Sequence, residues 1–409
     1  MTHTTLIPHL FRTEYGKLVA VLTKSFGIAH IEIAEDIASD TFLQALNTWP
    51  YKGVPPNPAA WLYTVAKNKT KNYLSRNANF QTNISPNLNP QKELDEIAVD
   101  FSTKNISDSH LQMLFAVCHP SISTEAQICL ALRVVCGLGL NEIADAFLTN
   151  KETIHKRLQR AKQKLKKETV QLEMPDDQHI QSRLETVLHS IYLLFSEGYY
   201  SESNNTTVRI ELCVEALNLN YLLLANSLTN NQDTNALMSL MCFQSSRLEA
   251  RKSETGSLVL YEDQDRALWD SAFIEKGFHY LQQASKWPIT TQYYLEASIA
   301  YWHTVDDGNP DKWTSILELY NVLLAANHSP LVALNRIRAF SKVHGDALAI
   351  LEAEQLNLNT NHYYFMLLAK LYNAIDPQKS IACLTSALDL CKTTTEKEAI
   401  GKQILARRS

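Results

Sequence analysis

Apolar residues recur at helical spacing along most of the chain, and the clearest pair of stripes lies within residues 141–167. Ile143, Ala144 and Phe147 mark one helix face, Leu148, Thr149 and Asn150 interrupt it, and Ile154, Leu158, Ala161 and Leu165 mark a second. One narrow stripe per helix and a short turn predict a helix-turn-helix, with Asn150 as N-cap of the second helix. Upstream, residues 11–27 are amphipathic, with Tyr15, Leu18 and Leu22 on one side and Leu10 just before them. In residues 31–49 the pattern turns Ile33, Ile37, Phe42, Ala45 and Leu46 inward and Glu32, Glu35, Asp36 and Asp40 outward. The run WPYKGVPPNP, with four prolines and a glycine, ends that helix. Another starts at Ala59 and carries Trp61, Leu62 and Val65 on its apolar side. Residues 78–107 lose periodicity and collect Asn, Ser and Pro, which marks a linker with room for one short helix at 93–99. Asp108 is the N-cap expected for a second helical unit, which runs through SHLQMLFAVCH and EAQICLALRVVCGL. From about residue 175 to the end, helices succeed one another with short connections.

Composition supports an all-α fold, since 11 Gly and 13 Pro among 409 residues leave long helices uninterrupted. That length allows two to four domains, each with its own core. No run of eighteen apolar residues occurs and the N-terminus lacks the zones of a signal peptide, so a cytoplasmic protein without membrane contact is expected. The seven cysteines show no CxxC spacing and are expected as buried, reduced thiols, with neither disulfides nor zinc implied. The formal net charge of −5 hides an asymmetry: residues 1–170 hold 19 Lys and Arg against 15 Asp and Glu, the remainder 19 against 28. A basic front and an acidic rear suggest nucleic-acid binding in the first and protein contact or self-regulation in the second.

The basic charge is concentrated on two helices. From Lys151 to Lys167 there are eight bases, among them Lys151, Lys156, Arg157 and Arg160, and Glu152 is the one acid. Such a helix repels itself unless an anion lies alongside, and its first turns, with Thr153, would enter a major groove. The alternative is the solvated helix of a repeat. The helix from Ala59 carries Lys67, Lys69, Lys71 and Arg76 without an acid, and Trp61 beside them offers a ring for unstacked bases or simply a core residue. Farther on, ETGSLVLYEDQDRALWD gathers Glu262, Asp263, Asp265 and Asp270 around Arg266 and Trp269. These residues either dock on another surface or cap helices in solvent. No nucleophile, glycine-rich phosphate loop or metal-ligand spacing accompanies the carboxylates, so neither an enzyme nor a cofactor is expected.

An acidic helix, a basic aromatic helix, a linker and a basic helix-turn-helix, in that order, resemble the extracytoplasmic-function sigma factors of bacterial RNA polymerase. Within them the chain is similar to a subgroup with a tetratricopeptide-like C-terminal extension, for which CHPSISTEAQICLALR and SLVLYEDQDRALWD are the most particular stretches. The resemblance implies an all-α chain of two small sigma-type domains followed by a helical-repeat domain. Residues 8–77 would be sigma region 2, 78–107 the linker, 108–170 sigma region 4 with its helix-turn-helix, and 175–409 the extension. By likeness, Glu35, Asp36 and Asp40, with Phe42 beneath, would bind the clamp helices of the largest subunit of core polymerase, and region 4 its flap. Trp61, Lys67, Asn68, Lys71, Asn72 and Arg76 would contact the upstream-ten promoter element, with a flipped base held by the WPYKGVPPNP loop. Lys151, Glu152, Thr153, Lys156, Arg157 and Arg160 would contact the upstream-thirty-five element. Glu262, Asp263, Asp265, Arg266 and Trp269 are regulatory candidates, and the extension implies intramolecular control and a signalling protein as a further partner.

The sequence departs from these patterns at Asn72, where many family members carry Asp, and at Leu148, where the turn usually has Gly. In the extension, Tyr364, Leu367, Leu368 and Leu371, then Ser380, Leu384 and Ala387, match a tetratricopeptide unit, though Leu368 and Ser380 replace its usual Gly or Ala. The rival reading is a free-standing helix-turn-helix regulator with a ligand-sensing helical domain, which would bind its operator without polymerase and would not need Asp36 or Asp40. A scaffold whose basic helices bind acidic proteins is a third.

Overall fold

The computed structural model describes residues 3–84, 99–147, 149–176, 179–200, 210–251, 259, 261–288, 290–306, 308–391 and 394–408. The side chain of Arg76, Leu148 and all but the last residue of the expected helix at 93–99 lie outside the described residues. Among those described there are eighteen α-helices and no strand. They are α1 (His3–Phe26), α2 (Ile31–Lys52), α3 (Pro58–Ile84), α4 (Thr103–Val117), α5 (Thr124–Leu130) and α6 (Leu140–Ala146). Next come α7 (Lys151–Lys167), α8 (Ile180–Tyr200), α9 (Ile210–Leu224), α10 (Gln232–Ser245), α11 (Ser271–Ala284) and α12 (Gln292–Thr304). The last six are α13 (Lys312–Ala326), α14 (Pro330–His344), α15 (Asp346–Gln355), α16 (His362–Tyr372), α17 (Pro377–Leu390) and α18 (Thr394–Arg408). Two compact units, Met1–Leu194 and Phe195–Ser409, divide within α8.

The first unit is built on α1, whose Tyr15, Leu18, Val19, Ala20 and Leu22 are fully enclosed by α2, α4 and the turn after α5. Burial and the nearby Glu35 push the Tyr15 phenol up to about 12. Helix α5 does not run on through LALRVV as expected. It widens into one π-helical turn at Ala131–Val135, closed by Cys136 N–H donating to the Ala131 carbonyl at 3.0 Å. That turn aims the Val135 carbonyl at Gly16 of α1, where an added Cβ would lie 1.8 Å from the oxygen, so a side chain at position 16 would force the backbones apart.

His110 of α4 meets the same carbonyl, its Nε2 3.2 Å away. Burial pushes the imidazole down to about 4, more than the bond to Val135 pulls it back. An unfolded histidine titrates near 6.5, so between about pH 6.5 and 4 the unfolded chain binds the extra proton. Stability of this unit is expected to fall as pH drops through that window, by up to about 3 kcal/mol. Urea unfolding across that range should show the slope, flattened in H110Q; an unchanged slope in that variant removes His110 as its origin.

Three boundaries differ from the sequence reading. Helix α2 passes through Pro50 to Lys52 and stops only where Gly53 turns to φ +81°. A proline in the last turn forfeits one ladder bond, less than the helix gains by continuing. Helix α3 extends to Ile84 rather than ending near Arg76. Helix α4 starts at Thr103, so Asp108 is interior and not the N-cap. Ser102 holds that role, accepting from Asn105 N–H at 3.4 Å while Asp100 holds Ser102 N–H and Oγ at 2.8 and 2.9 Å.

In the second unit α10 is buried nearly all round, and two hydrogen bonds tie it to its neighbours: Asn220 donates to the Thr234 carbonyl and Ser239 to that of Gly277. From α12 onward each helix packs on the next. The cores form a relay in which Phe340 joins the cluster around Ile299 and Ile316 to that around Ile350 and Leu371. Phe365 then joins the latter to the cluster around Leu384 and Ile400. Such nearest-neighbour packing is repeat-array logic. At the small position of α17, the Ser380 hydroxyl donates to the Ala369 carbonyl at 2.6 Å, which lets a polar residue fill a closely packed site. Six of the seven cysteines are buried, and burial pushes the Cys118 and Cys242 thiols up to about 12.

Candidate nucleic-acid and partner interface

Helix α7 separates its residues by chemistry. Ile154, Leu158, Ala161 and Leu165 are its buried residues, and Asn150 caps it by accepting the Thr153 N–H at 2.8 Å. Lys151, Glu152, Thr153, Lys156 and Arg160 are exposed and leave the first three turns with a cationic outer surface. Arg157 differs. Its guanidinium pairs with Glu125 at 3.0 Å and lies 5.4 Å from the Phe147 ring, which ties α7 to α5 and to the turn. Among the expected contacts on α7 it is the one paired with an acid inside the unit.

Helix α3 presents Lys67, Asn68, Lys71 and Asn72 to solvent, while Leu62, Val65, Ala66 and Thr70 are buried. Trp61 is half-buried, edge-on to Trp49 at 5.4 Å, so its ring both packs and meets solvent. In the last turn of α2, Tyr51 is 88% exposed.

Helix α2 requires two corrections. Leu46, expected inward, is 51% exposed, as is Leu43 at 53%, whereas Glu35, expected outward, is buried. The inner face is built from small residues the hydrophobic pattern underweights: Ala34, Ala38 and Thr41, together with Ile37, Phe42 and Trp49. Phe42 packs on Phe11 and Tyr15 at ring distances of 4.9 and 6.5 Å. The outer face joins exposed Asp36 and Asp40 to the apolar Leu43 and Leu46, a surface suited to a protein partner. Asp40 also pairs loosely with Lys69 of α3 at 3.7 Å.

Glu35 is held by two bases from the far half of the unit, Arg133 of the π turn at 3.2 Å and Lys162 of α7. Arg133 also donates to the Leu138 carbonyl at 3.0 Å and lies 5.7 Å from the Tyr15 ring. Arg12 of α1 pairs with Glu142 of α6, which in turn accepts the Gly139 N–H at 2.6 Å. The helices expected as separate sigma-type domains are thus docked on each other by partly buried charge pairs.

The Sigma-70 region 2 family matches residues 10–80, which cover most of α1 to α3. A family of unknown function, DUF6596, matches residues 183–285. An uncharacterized protein of Rhizobium meliloti (strain 1021) is 32% identical over 342 residues, 82% of this chain and 80% of that protein. The chain belongs to the family of that protein. RNA polymerase sigma factor YlaC of Bacillus subtilis (strain 168) is 27% identical over 168 residues, 41% of this chain and 94% of its own. No solved structure gives a significant match. A Sigma-70 region 2 domain therefore contains the α2 and α3 surfaces just described.

The DUF6596 match includes the acidic aromatic segment, of which residues 254–258 and 260 lie outside those described. Its carboxylates have separate duties. Asp265 accepts the Ala267 N–H at 2.9 Å, Asp270 caps α11, and Asp263 is exposed. Arg266 donates to the Val305 carbonyl at 3.3 Å and lies 5.0 Å from the Trp269 ring. The buried Lys312 donates to the Val305 carbonyl at 2.7 Å and to Tyr261 Oη at 3.3 Å, and Tyr261 donates onward to the His303 carbonyl at 2.8 Å. Glu262 reaches the array itself, pairing with Arg338, Lys370 and, at 3.9 Å, Lys342. Burial pushes the Glu262 carboxyl up, but the bonds from Arg338 and Lys370 outweigh it and hold the group at about 2. No described helix is long and apolar enough to cross a membrane, and no described His, Cys, Asp and Glu cluster could hold a metal.

Proposed function

We propose that the chain is a sigma factor, a non-catalytic subunit that directs bacterial RNA polymerase core to promoters. The observation that carries this reading is the pair of solvent faces inside the Sigma-70 region 2 match: an acidic and apolar face on α2 and a basic, aromatic-edged face on α3. The likeness to YlaC, a sigma factor by its printed name, supports the same reading. In this proposal Asp36, Asp40, Leu43 and Leu46 bind the largest subunit's clamp helices. Trp61, Lys67, Asn68, Lys71 and Asn72 contact the upstream-ten element, and Lys151, Thr153, Lys156 and Arg160 the upstream-thirty-five element.

Run-off transcription by purified core polymerase, on templates carrying this protein's own upstream region, tests the proposal. Initiation that depends on the protein supports it. Tight operator binding by the protein alone with no initiation would turn the reading to a free-standing regulator. With K156A/R160A, two phosphate or base contacts are lost, and the slope of log affinity against log salt should shrink by roughly two for the holoenzyme. A slope equal to the parent's would remove α7 from the interface.

The array of α9–α18 is proposed as a tetratricopeptide-like regulatory extension. Removing residues 195–409, and keeping α8 up to the end of the first unit, is expected to change protein-dependent initiation at least threefold. Unaltered output would leave the array without a regulatory part in initiation.

A further inference from the structure

We propose that a cationic cleft in the second unit is a binding site for a small phosphorylated ligand, for which the Glu262 carboxylate is an internal stand-in. The cleft has a volume of about 440 Å³ and is lined by Arg338, Ser341 and Lys342 of α14, Lys370 of α16 and its C-cap Asn373, and Arg407 of α18. Gly345 and Asp346, at the start of α15, complete it. Three successive parts of the array thus converge four cationic side chains on one concavity, against Asp346 in its wall and Glu262 reaching in. Like charges so close repel, and they remain together only with an anion between them.

Glu262 supplies part of that charge. It comes from a short 3-10 turn, Tyr261–Asp263, outside the lining helices, and its two oxygens engage Arg338 and Lys370. One carboxylate does not satisfy the site. Lys342 stands 3.9 Å from it, and Arg407, whose Nε donates to Asn373 Oδ1 at 2.7 Å, keeps Nη1 buried without a hydrogen-bond partner. A buried guanidinium nitrogen left in this state carries a desolvation cost that an added acceptor would relieve.

A phosphate group fits better than a second carboxylate. It carries up to two negative charges and three free oxygens, enough to bridge Arg338 and Lys370 and still reach Arg407, with guanidinium forks offering paired donors and the Ser341 hydroxyl another. The volume admits such a group with a compact organic body, of the size of a phosphorylated metabolite. Entry would displace the Glu262 carboxylate, so ligand and Glu262 compete for the same cations.

Calorimetric titration of the full-length protein at low salt would use inorganic phosphate, pyrophosphate and citrate as probes. Pyrophosphate or phosphate binding is expected about tenfold tighter in E262Q, where the competitor is gone, and at least tenfold weaker in R407Q, which leaves the Glu262 pairs intact. Circular dichroism of each variant checks that the array is folded. Citrate binding as well as pyrophosphate would overturn the phosphate assignment. Affinity for both phosphate probes untouched by R407Q, or absent from the parent and from E262Q alike, would overturn the site.

Discussion

Changing Asp36 and Asp40 together to Lys is expected to abolish initiation by core polymerase, with run-off product falling at least a hundredfold. Both carboxylates stand in solvent on the α2 face that also carries Leu43 and Leu46. A partner complementary to that face would meet two cations where it meets two anions, and each like-charge juxtaposition costs on the order of one to several kcal/mol. Loss of the fold is not the expected cause, because the one ion pair broken, Lys69 with Asp40, is 3.7 Å long and Asp40 is 65% exposed. The melting temperature should therefore move by no more than a few degrees, and direct binding to core polymerase should fall in parallel with transcription. Full-length product at the parent's level from the double variant would remove the α2 face from the polymerase interface and favour a regulator that works without it.

The α7 surface was legible in the sequence because its signal is local. Eight bases against one acid, with apolar residues at Ile154, Leu158, Ala161 and Leu165, specify a single orientation, and the structure buries those four. The orientation of α2 was only partly legible for the opposite reason. Glu35 carries no mark of burial in its own helix; its partners Arg133 and Lys162 are 98 and 127 residues away along the chain. Leu46 looked like a core residue because the inner face relies on Ala34, Ala38 and Thr41, whose small side chains let α1 approach closely but weigh little in a hydrophobic pattern.

The cleft of the second unit follows the same rule. Arg338, Lys342, Lys370 and Arg407 are scattered over seventy positions and each reads as an ordinary solvated helix charge. Only the stacking of α14, α16 and α18 brings them together. The sequence groups Glu262 with its acidic neighbours, and nothing local separates it from Asp265 and Asp270, which cap helices. The π turn at Ala131–Val135 was likewise hidden, since one extra residue in a helical turn leaves the surrounding pattern nearly unchanged.

Reversing Glu35 to Lys is the sharpest test of the docked first unit. The Glu35 side chain is 9% exposed and those of Arg133 and Lys162 are 23% and 15%, so water screens the pairs far less than it screens a surface bridge. Removing one member of such a set costs at least about 3 kcal/mol, and placing a third cation among the other two costs more. Hydrogen exchange should then accelerate by a hundredfold or more at amides of the π turn and of Leu138, whose N–H donates to the Leu132 carbonyl at 2.8 Å. The charge swap E35K/K162E should recover part of that protection, because one opposite pair is restored. Under the sigma reading the variant also separates two uses of Glu35. Promoter elements about 25 base pairs apart lie on the order of 85 Å from each other along the duplex. Contact with both requires the α3 and α7 surfaces to part, and the eighteen residues between Ile84 and Thr103 reach on the order of 60 Å when fully extended, so the helices on either side must make up the rest. If Glu35 serves to hold the unit shut, E35K initiates at the parent's level or above once core polymerase is saturating. A loss as deep as that of the Asp36 and Asp40 variant would assign Glu35 to the polymerase contact instead.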